Sequence, residues 1–344
     1  MKRLCIIYTP YAMFLYLLHC TPEQILNTYY VIRGHDSSLS FEQLGLEKGH
    51  VYIFHRMKRG WQLSYLWVLN RIEKWLKIPC IAKDTEIFAE VYSDVPGSVI
   101  IGRHSYTLIE HAPHIFDQEI VRGGIILKSG DHTLRRKIKA EVRGLARYVL
   151  GWLYGPTFSA RLGHNRYCKV IISSVEVKNK ALKDKEHIRI NFTEAWKSAS
   201  KRKKQLVLQA FNVKDSDLAK WRQKDILFIS QNLSCHYSTE LQRRVVAKIL
   251  SHYPKERVLI KLHPRDRFDY ASEFPGYEVM DTKAPEQLLD ALGLRFTKAV
   301  TAFSTAAFTM PKGTDVDWFG TEVDEKIFQR LGHIEGPAGS HNIF

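Results

Sequence analysis

The residues best suited to chemistry end an apolar run, Leu259-Ile260-Lys261-Leu262-His263-Pro264-Arg265-Asp266. Such a run stopping at Lys-x-His-Pro reads as a buried strand that delivers an imidazole to its carboxyl edge, where open α/β sheets bind ligands. Pro264 fixes its own φ and biases His263 toward extended backbone, so the ring is held at a defined angle. A lone His-Pro also serves to cap a strand; its companions give this one chemical meaning. Ser304-Thr305, followed by Ala306-Ala307-Phe308, suits a tight strand-to-helix turn that serves as an N-cap and offers hydroxyls and free N–H groups to an anion. His263, Ser304 and Thr305 together would clamp a phosphate. Lys261, which alternates with His263 and shares its face, and Arg265 would add charge. Gln231 and Asn232 follow another apolar run as a polar pair. Glu286, one residue after Pro285, is a favourable carboxylate for the start of a helix and a suitable acceptor for ribose hydroxyls.

A second constellation is Ser105-Tyr106-Thr107-Leu108-Ile109-Glu110-His111-Ala112-Pro113-His114. Here an apolar strand ends in a carboxylate and an imidazole, and either Glu110 or His111 could act as a general base. No metal is expected: Glu110, His111 and His114 lack the spacing of helical ligands, and Pro113 disrupts a helix.

These residues need strands to carry them. Strands are expected at 4–8, 29–32, 51–54, 87–91 and 106–110, with helical content at 11–19 and 61–76, an alternation that argues for a parallel, doubly wound sheet. The rhythm resumes with a strand at 225–230, a helix at 238–251, strands at 258–262 and 277–280, a helix at 285–292 and a strand at 299–303. Two Rossmann-like domains, 1–220 and 221–344, follow, with a linker near 213–223. Residues 134–204 are strongly basic, with Arg135, Arg136, Lys137, Lys139, Arg143 and Arg147 followed by Trp152, Tyr154, Arg161, Arg166 and Lys169. The charged run at 197–204 reads as a solvated helix or linker, or as a patch facing anionic lipid head groups or an acidic acceptor.

At 344 residues and 45% hydrophobic content the chain can build two cores. Its net charge of +15 suits anionic partners: nucleotide phosphates, acidic sugars, anionic lipid or nucleic acid. Trp152, Tyr154 and Tyr167 amid the basic residues would suit stacking on bases, but no nucleic-acid module is recognisable and none is expected as a partner. Five scattered cysteines, odd in number and without a C-x-x-C pair, suggest neither a disulfide framework nor zinc, and fit a reducing cytoplasm. The apolar opening is short and broken at Thr9-Pro10, so any membrane contact is expected to be peripheral, on the inner face of the cytoplasmic membrane.

With these pieces in order, the chain resembles the bacterial sialyltransferases and related enzymes of the GT-B fold, most closely glycosyltransferase family 52. The resemblance rests on Glu110-His111-Ala112 in place of an acidic-acidic-Gly motif, on His263-Pro264, on Ser304-Thr305, and on the runs Cys5-Ile-Ile-Tyr-Thr-Pro-Tyr11 and Ile226-Leu-Phe-Ile-Ser-Gln231. It implies two Rossmann-like domains facing each other across a cleft. It also implies an inverting, metal-independent transfer of sialic acid from CMP-sialic acid to a hydroxyl of a cell-surface glycan such as lipooligosaccharide or capsule. A carboxylate, Glu110 here, would deprotonate the acceptor, with His111 as the alternative; His263 would assist departure of CMP, and Ser304 and Thr305 would hold its phosphate. No cofactor is implied. The histidine and alanine in the acidic motif leave open a donor such as CMP-Kdo or a nucleotide hexose, and a binding protein that retains the nucleotide site without turnover.

Overall fold

The computed structural model describes residues 2–33, 50–54, 84–90, 101, 104–111, 119–121, 125–127 and 163–343, with 44, 46 and single positions in 134–149. Within 163–343 it leaves out 178, 180–181, 264–265, 267, 281, 283 and 312. Helix 61–76, the Ala112-Pro113-His114 segment, Pro264, Arg265, Arg135, Arg136, Lys137, Arg147, Trp152, Tyr154 and Arg161 lie outside the described residues, as does the side chain of Thr305. Two compact units are present, 1–207 and 208–344.

The first unit opens with β1 (Arg3–Ile7), α1 (Pro10–His19), α2 (Pro22–Leu26) and β2 (Thr28–Arg33), followed by β3 (Val51–Phe54), β4 (Glu86–Ala89) and β5 (Tyr106–Ile109). A small antiparallel pair, β6 (Glu119–Val121) and β7 (Ile125–Leu127), precedes β8 (Cys168–Ser173) and β9 (Glu186–Arg189). Seven strands form one parallel sheet in the order β3-β2-β1-β4-β5-β8-β9. The order reverses between β1 and β4, which makes the carboxyl ends of those strands the ligand-binding edge of such a sheet. Helix α1 starts where Thr9 accepts a hydrogen bond from Ala12 N and Pro10 supplies the first helical residue. Residues 11–18 are all buried, and Phe14 stacks on Phe192 at 5.1 Å. Phe192 opens α3 (Phe192–Ser198), which leads to α4 (Lys201–Ala210).

The basic run at 197–204 is thus largely helical, in keeping with the solvated-helix reading. One lysine does structural work: Lys203 Nζ donates to Leu18 O near the end of α1, a carbonyl left open by the helix, and burial lowers the lysine pKa. Strands β8 and β9 were not expected in this basic region. Val170-Ile171-Ile172 is an apolar core segment masked by flanking lysines, and Glu186-His-Ile-Arg189 is a polar edge strand with little to distinguish it from loop.

The second unit holds α5 (Asp215–Trp221), β10 (Ile226–Ile229), α6 (Thr239–Leu250), β11 (Val258–Lys261), α7 (Tyr270–Glu273) and β12 (Glu278–Met280). It continues through α8 (Glu286–Ala291), β13 (Lys298–Thr301), β14 (Asp315–Trp318), α9 (Glu325–Leu331) and β15 (His341–Asn342). Six parallel strands run in the order β12-β11-β10-β13-β14-β15, the doubly wound Rossmann order, with its reversal between β10 and β13. Two corrections concern the division of the chain. The boundary between the units lies at Val207 and Leu208, upstream of 220, and the expected linker at 213–223 contains α5. Its Leu218 and Trp221 are buried, so that segment contributes core and cannot serve as a free connection.

All four residues of β10 and of β11 are buried, as required of central strands covered on both faces. Register sets Phe228 beside Ile260 and Val300, so the segments after β10, β11 and β13 emerge together. Helix α6, capped where Ser238 accepts from Leu241 N, buries Leu241, Gln242, Val245, Val246, Ile249 and Leu250. A glutamine on an otherwise apolar stripe needs a polar purpose.

Candidate functional site

In the second unit a cavity of about 400 Å³ opens at the sheet's reversal, lined by Gln231, Asn232, Leu233, His236, Tyr237, His263, Phe303, Ser304, Arg330 and Leu331. His263 and Ser304, expected to act together, therefore share one pocket. Ser230, at the end of β10, accepts a 2.7 Å hydrogen bond from His263 N and donates at 3.3 Å to Asp266 Oδ2. The same oxygen accepts from Gln242 Nε2 at 2.9 Å and from the Tyr270 hydroxyl at 3.0 Å, and Phe268 N donates to Oδ1 at 3.1 Å. Gln242 also receives Ser234 N at 2.6 Å and donates to Gln231 O at 3.2 Å. This buried amide thus ties the loop after β10 to the loop after β11. Burial raises the Asp266 pKa, and its hydrogen bonds oppose that rise.

On the other wall, Thr301 Oγ1 donates to Ile229 O at 3.0 Å and accepts from Ser304 N at 3.2 Å. Ser304 then caps a short 3-10 turn by accepting from Ala306 N at 3.4 Å. Its hydroxyl thus has the expected capping role while still lining the pocket. Gln231 and Asn232 also line it, and Gln231 Oε1 is buried without a hydrogen-bond partner among the described residues, which leaves a polar atom for a ligand. Lys261 and Glu286 do not line this pocket: Lys261 is buried, and its Nζ lies 4.0 Å from Glu286 Oε1. Each gives the other a charged partner, which offsets the cost of burying an ammonium group. Arg330 was not anticipated. Its Nη1 donates to His236 O at 2.9 Å and its guanidinium lies 5.1 Å from the Tyr237 ring centroid, so α9 adds a fixed cation to the wall. An arginine in the last turn of an amphipathic helix carries no signal in sequence.

The first unit gathers a different set at the ends of β1, β4 and β5. Glu110 is fully buried, and its Oε2 accepts from the Tyr11 hydroxyl at 2.7 Å, Ser174 N at 2.7 Å and Ser174 Oγ at 3.0 Å. Burial first, and the Glu110 charge second, push the Tyr11 phenol pKa up. The Glu110 carboxylate is thus enclosed: it joins α1 to the end of β8, with that oxygen already accepting three donors. His111, the next residue, keeps a side-chain exposure of 26%. Its Nδ1 bonds to Oε1 of Glu90, which is fully buried, and its carbonyl accepts from Thr9 Oγ1 at 3.3 Å. Glu90 Oε2 accepts Tyr8 N at 2.7 Å and Thr9 N at 2.9 Å. Glu90 was missed, although Ile87-Phe88-Ala89-Glu90 obeys the same rule as the segments that were noticed: an apolar strand ending in a charge. An imidazole held through Nδ1 by a carboxylate presents Nε2 as a base. Among the described residues no group of three or more His, Cys, Asp or Glu is placed to hold a metal ion.

Two parallel Rossmann-type sheets define a fold class, and solved structures share that fold. The 2,6-sialyltransferase of a Photobacterium species, solved with the donor product CMP and the acceptor substrate lactose, is similar at a TM-score of 0.60 and 10% identity, covering 96% of this chain and 74% of that one. A sialyltransferase from Photobacterium damselae, residues 113–497 corresponding to its GT-B domain, is similar at 0.51 and 12% identity, covering 96% and 97%. At such identities the likeness is one of fold. The chain belongs to glycosyltransferase family 52, whose model matches residues 144–325, more than half of its length. A Haemophilus influenzae protein described as uncharacterized is 32% identical over 148 residues, covering 42% of this chain and 48% of that protein; the chain thus spans about half the length of that curated relative.

Proposed function

We propose that this protein is a glycosyltransferase that moves sialic acid from CMP-sialic acid to a hydroxyl of a glycan, with inversion and without a metal. The observation that carries this reading is the convergence of His263 and Ser304 on one pocket at the reversal of the second sheet. A CMP donor has one phosphate between nucleoside and sugar, and the charge that develops on it during departure can be met by an imidazole, a hydroxyl and a guanidinium in a site with little water. His263 supplies the proton or hydrogen bond to the departing phosphate, Ser304 holds a nonbridging oxygen, and Arg330 balances its charge. Gln231 and Asn232 offer amides to the nucleoside. Family membership and the CMP and lactose found with a protein of the same fold support the choice of donor and acceptor class.

Of the two candidate bases, the geometry favours His111. Glu110 Oε2 is committed to Tyr11 and Ser174, whereas His111 is partly exposed and oriented by Glu90. In this reading Nε2 of His111 takes the acceptor proton as the hydroxyl attacks the anomeric carbon, and the bond from that carbon to the phosphate oxygen breaks. Glu110 then acts by fixing Tyr11 and the end of β8.

A melting series with CMP, UDP and GDP tests the donor, because a ligand that binds the folded chain raises its melting temperature. CMP is expected to give the largest shift, and mass spectrometry of products from CMP-sialic acid and a galactoside should show one added sialyl group. A larger shift with UDP, and transfer from a UDP-hexose alone, would contradict the assignment.

A further inference from the structure

Helix α6 carries one polar side chain into the core. Leu241, Val245, Val246, Ile249 and Leu250 form its apolar stripe, and Gln242 lies among them, fully buried. An apolar residue of similar volume would fill that place without desolvating an amide, so the helix itself has no need of a glutamine. The amide instead reaches the two loops that line the pocket. Its Oε1 accepts from Ser234 N at 2.6 Å, and its Nε2 faces three acceptors: Gln231 O at 3.2 Å, Asp266 Oδ2 at 2.9 Å and the Tyr270 hydroxyl at 3.1 Å. An NH2 group has two hydrogens, so two hydrogens serve three acceptors and couple them.

Two routes lead from this amide to groups assigned to the donor. Gln231 O, which also accepts from Leu233 N at 2.8 Å, belongs to one pocket residue. On the other route Asp266 Oδ2 accepts from Ser230 Oγ at 3.3 Å, and Ser230 Oγ accepts from His263 N at 2.7 Å. Asp266 N donates to His263 O at 2.9 Å. The imidazole therefore stands on a turn whose last residue is held by Gln242, Ser230, Tyr270 and Phe268 N. His263 and Gln231 thus take their separation from one side chain on a third element. Ser304 and Arg330 are held differently, through Thr301 after β13 and through His236 O from α9.

We propose that Gln242 is a positioning residue: it sets the His263 turn against the Gln231 loop, and so places the imidazole against the departing phosphate. The proposal rests on the transferase reading for what the imidazole does, and on the hydrogen bonds alone for where it stands. Three variants of the full chain test it. Gln242→Met keeps the volume and removes every hydrogen bond; Gln242→Glu keeps the acceptor for Ser234 N and sets a carboxylate against that of Asp266; Val246→Ala thins the same stripe outside the network. The imidazole is observed in ligand-free chain labelled with carbon-13 at histidine Cε1, the His263 resonance being the one that His263→Ala lacks. It should move in Gln242→Met and stay in Val246→Ala. A misplacement of about 1 Å costs on the order of 100-fold, so the rate constant of single-turnover transfer should fall by roughly that factor in Gln242→Met and hold in Val246→Ala. The Kd of CMP, gripped by Ser304 and Arg330, should change far less than the rate.

The titratable groups bonded to this amide are Asp266 and Tyr270, and burial keeps the Tyr270 phenol protonated. In Gln242→Glu the two facing carboxyls take up a proton as pH falls, and a protonated carboxyl donates where the amide did. The rate and the His263 resonance, each compared with the parent at the same pH, should therefore be displaced near about pH 8 and recover toward about pH 5. This series decides the matter if Gln242→Met does not fold. An unmoved resonance in Gln242→Met, equal rate losses in Gln242→Met and Val246→Ala, or a Gln242→Glu chain whose difference from the parent ignores pH overturns the proposal. A parent chain inactive on CMP-sialic acid whose His263 resonance still moves in Gln242→Met keeps the positioning role and counts against the transferase reading alone.

Discussion

Glu90→Gln is the most informative single change in the first unit, because it keeps the shape of a buried side chain while replacing an anionic pair of acceptors by one neutral acceptor and one donor. The wild-type carboxylate uses Oε2 for Tyr8 N and Thr9 N, at 2.7 and 2.9 Å, and Oε1 for His111 Nδ1. A glutamine has one acceptor oxygen for these two tasks. Turning that oxygen toward His111 strands two backbone N–H groups, at about 1–3 kcal/mol each; turning it toward Tyr8 and Thr9 sets an NH2 group against Nδ1. The second arrangement costs less and is expected. Nδ1 must then accept, the imidazole proton moves to Nε2, and the nitrogen assigned to the acceptor hydroxyl can no longer take a proton. General-base catalysis is worth ~10²–10⁴ in rate, so the rate constant of single-turnover transfer should fall by about that factor, while the CMP-induced rise in melting temperature stays as it was. Because Glu90 acts through His111, the two should behave as a unit: His111→Ala and the His111→Ala, Glu90→Gln chain should be equally slow. A near-parental single-turnover rate in Glu90→Gln, or single-variant losses that multiply in the double variant, would rule out orientation of His111 by Glu90.

Arg330→Ala should weaken CMP binding roughly 10- to 100-fold, the worth of a charge-assisted hydrogen bond at about 1.5–3 kcal/mol, and leave cytidine binding nearly unchanged; calorimetry with both ligands checks this. Burial holds the folded pKa of Asp266 above its unfolded value, so the stability it contributes is present below the ordinary aspartate range and is lost as pH rises through the folded pKa. Asp266→Asn should remove that slope from urea midpoints measured between about pH 3 and 7. Asp225 has the opposite sign: hydrogen bonding from Arg257 lowers its pKa, so its contribution is present above the unfolded pKa and is lost as pH falls through the folded one. Asp225→Asn should flatten the acid side of the same series.

Much of the fold was legible because each central strand is a short apolar run closed by a polar residue, as in Ile226-Leu-Phe-Ile-Ser230, and buried parallel strands are built that way. The pocket in the second unit was legible for the same reason, since His263, Ser304, Gln231 and Asn232 all follow such runs. What escaped depends on distance in sequence. Glu90 and His111 are 21 residues apart and meet only because β4 and β5 are neighbours in the sheet, so Glu110, adjacent to His111 and equally acidic, drew the assignment. Arg330 reaches the pocket from α9 and has no strand end to announce it. Lys261 and Glu286 were assigned to the ligand because each is a charge near a strand or helix end; their mutual pairing depends on how α8 packs beside β11. The linker was misplaced because Lys214, Asp215, Asp217 and Lys220 outnumber the buried Leu218 and Trp221 that make α5 part of the core.

The central claim is that the imidazole of His263 assists the departure of CMP. The direct measurement is transfer from CMP-sialic acid to a galactoside by the full chain and by its His263→Ala variant, followed by mass spectrometry, with melting curves recorded in parallel. The account predicts a sialylated product with the parent chain and a rate lower by roughly 10²–10⁴ in a variant that melts at the same temperature. Parental turnover by a folded His263→Ala chain would contradict it.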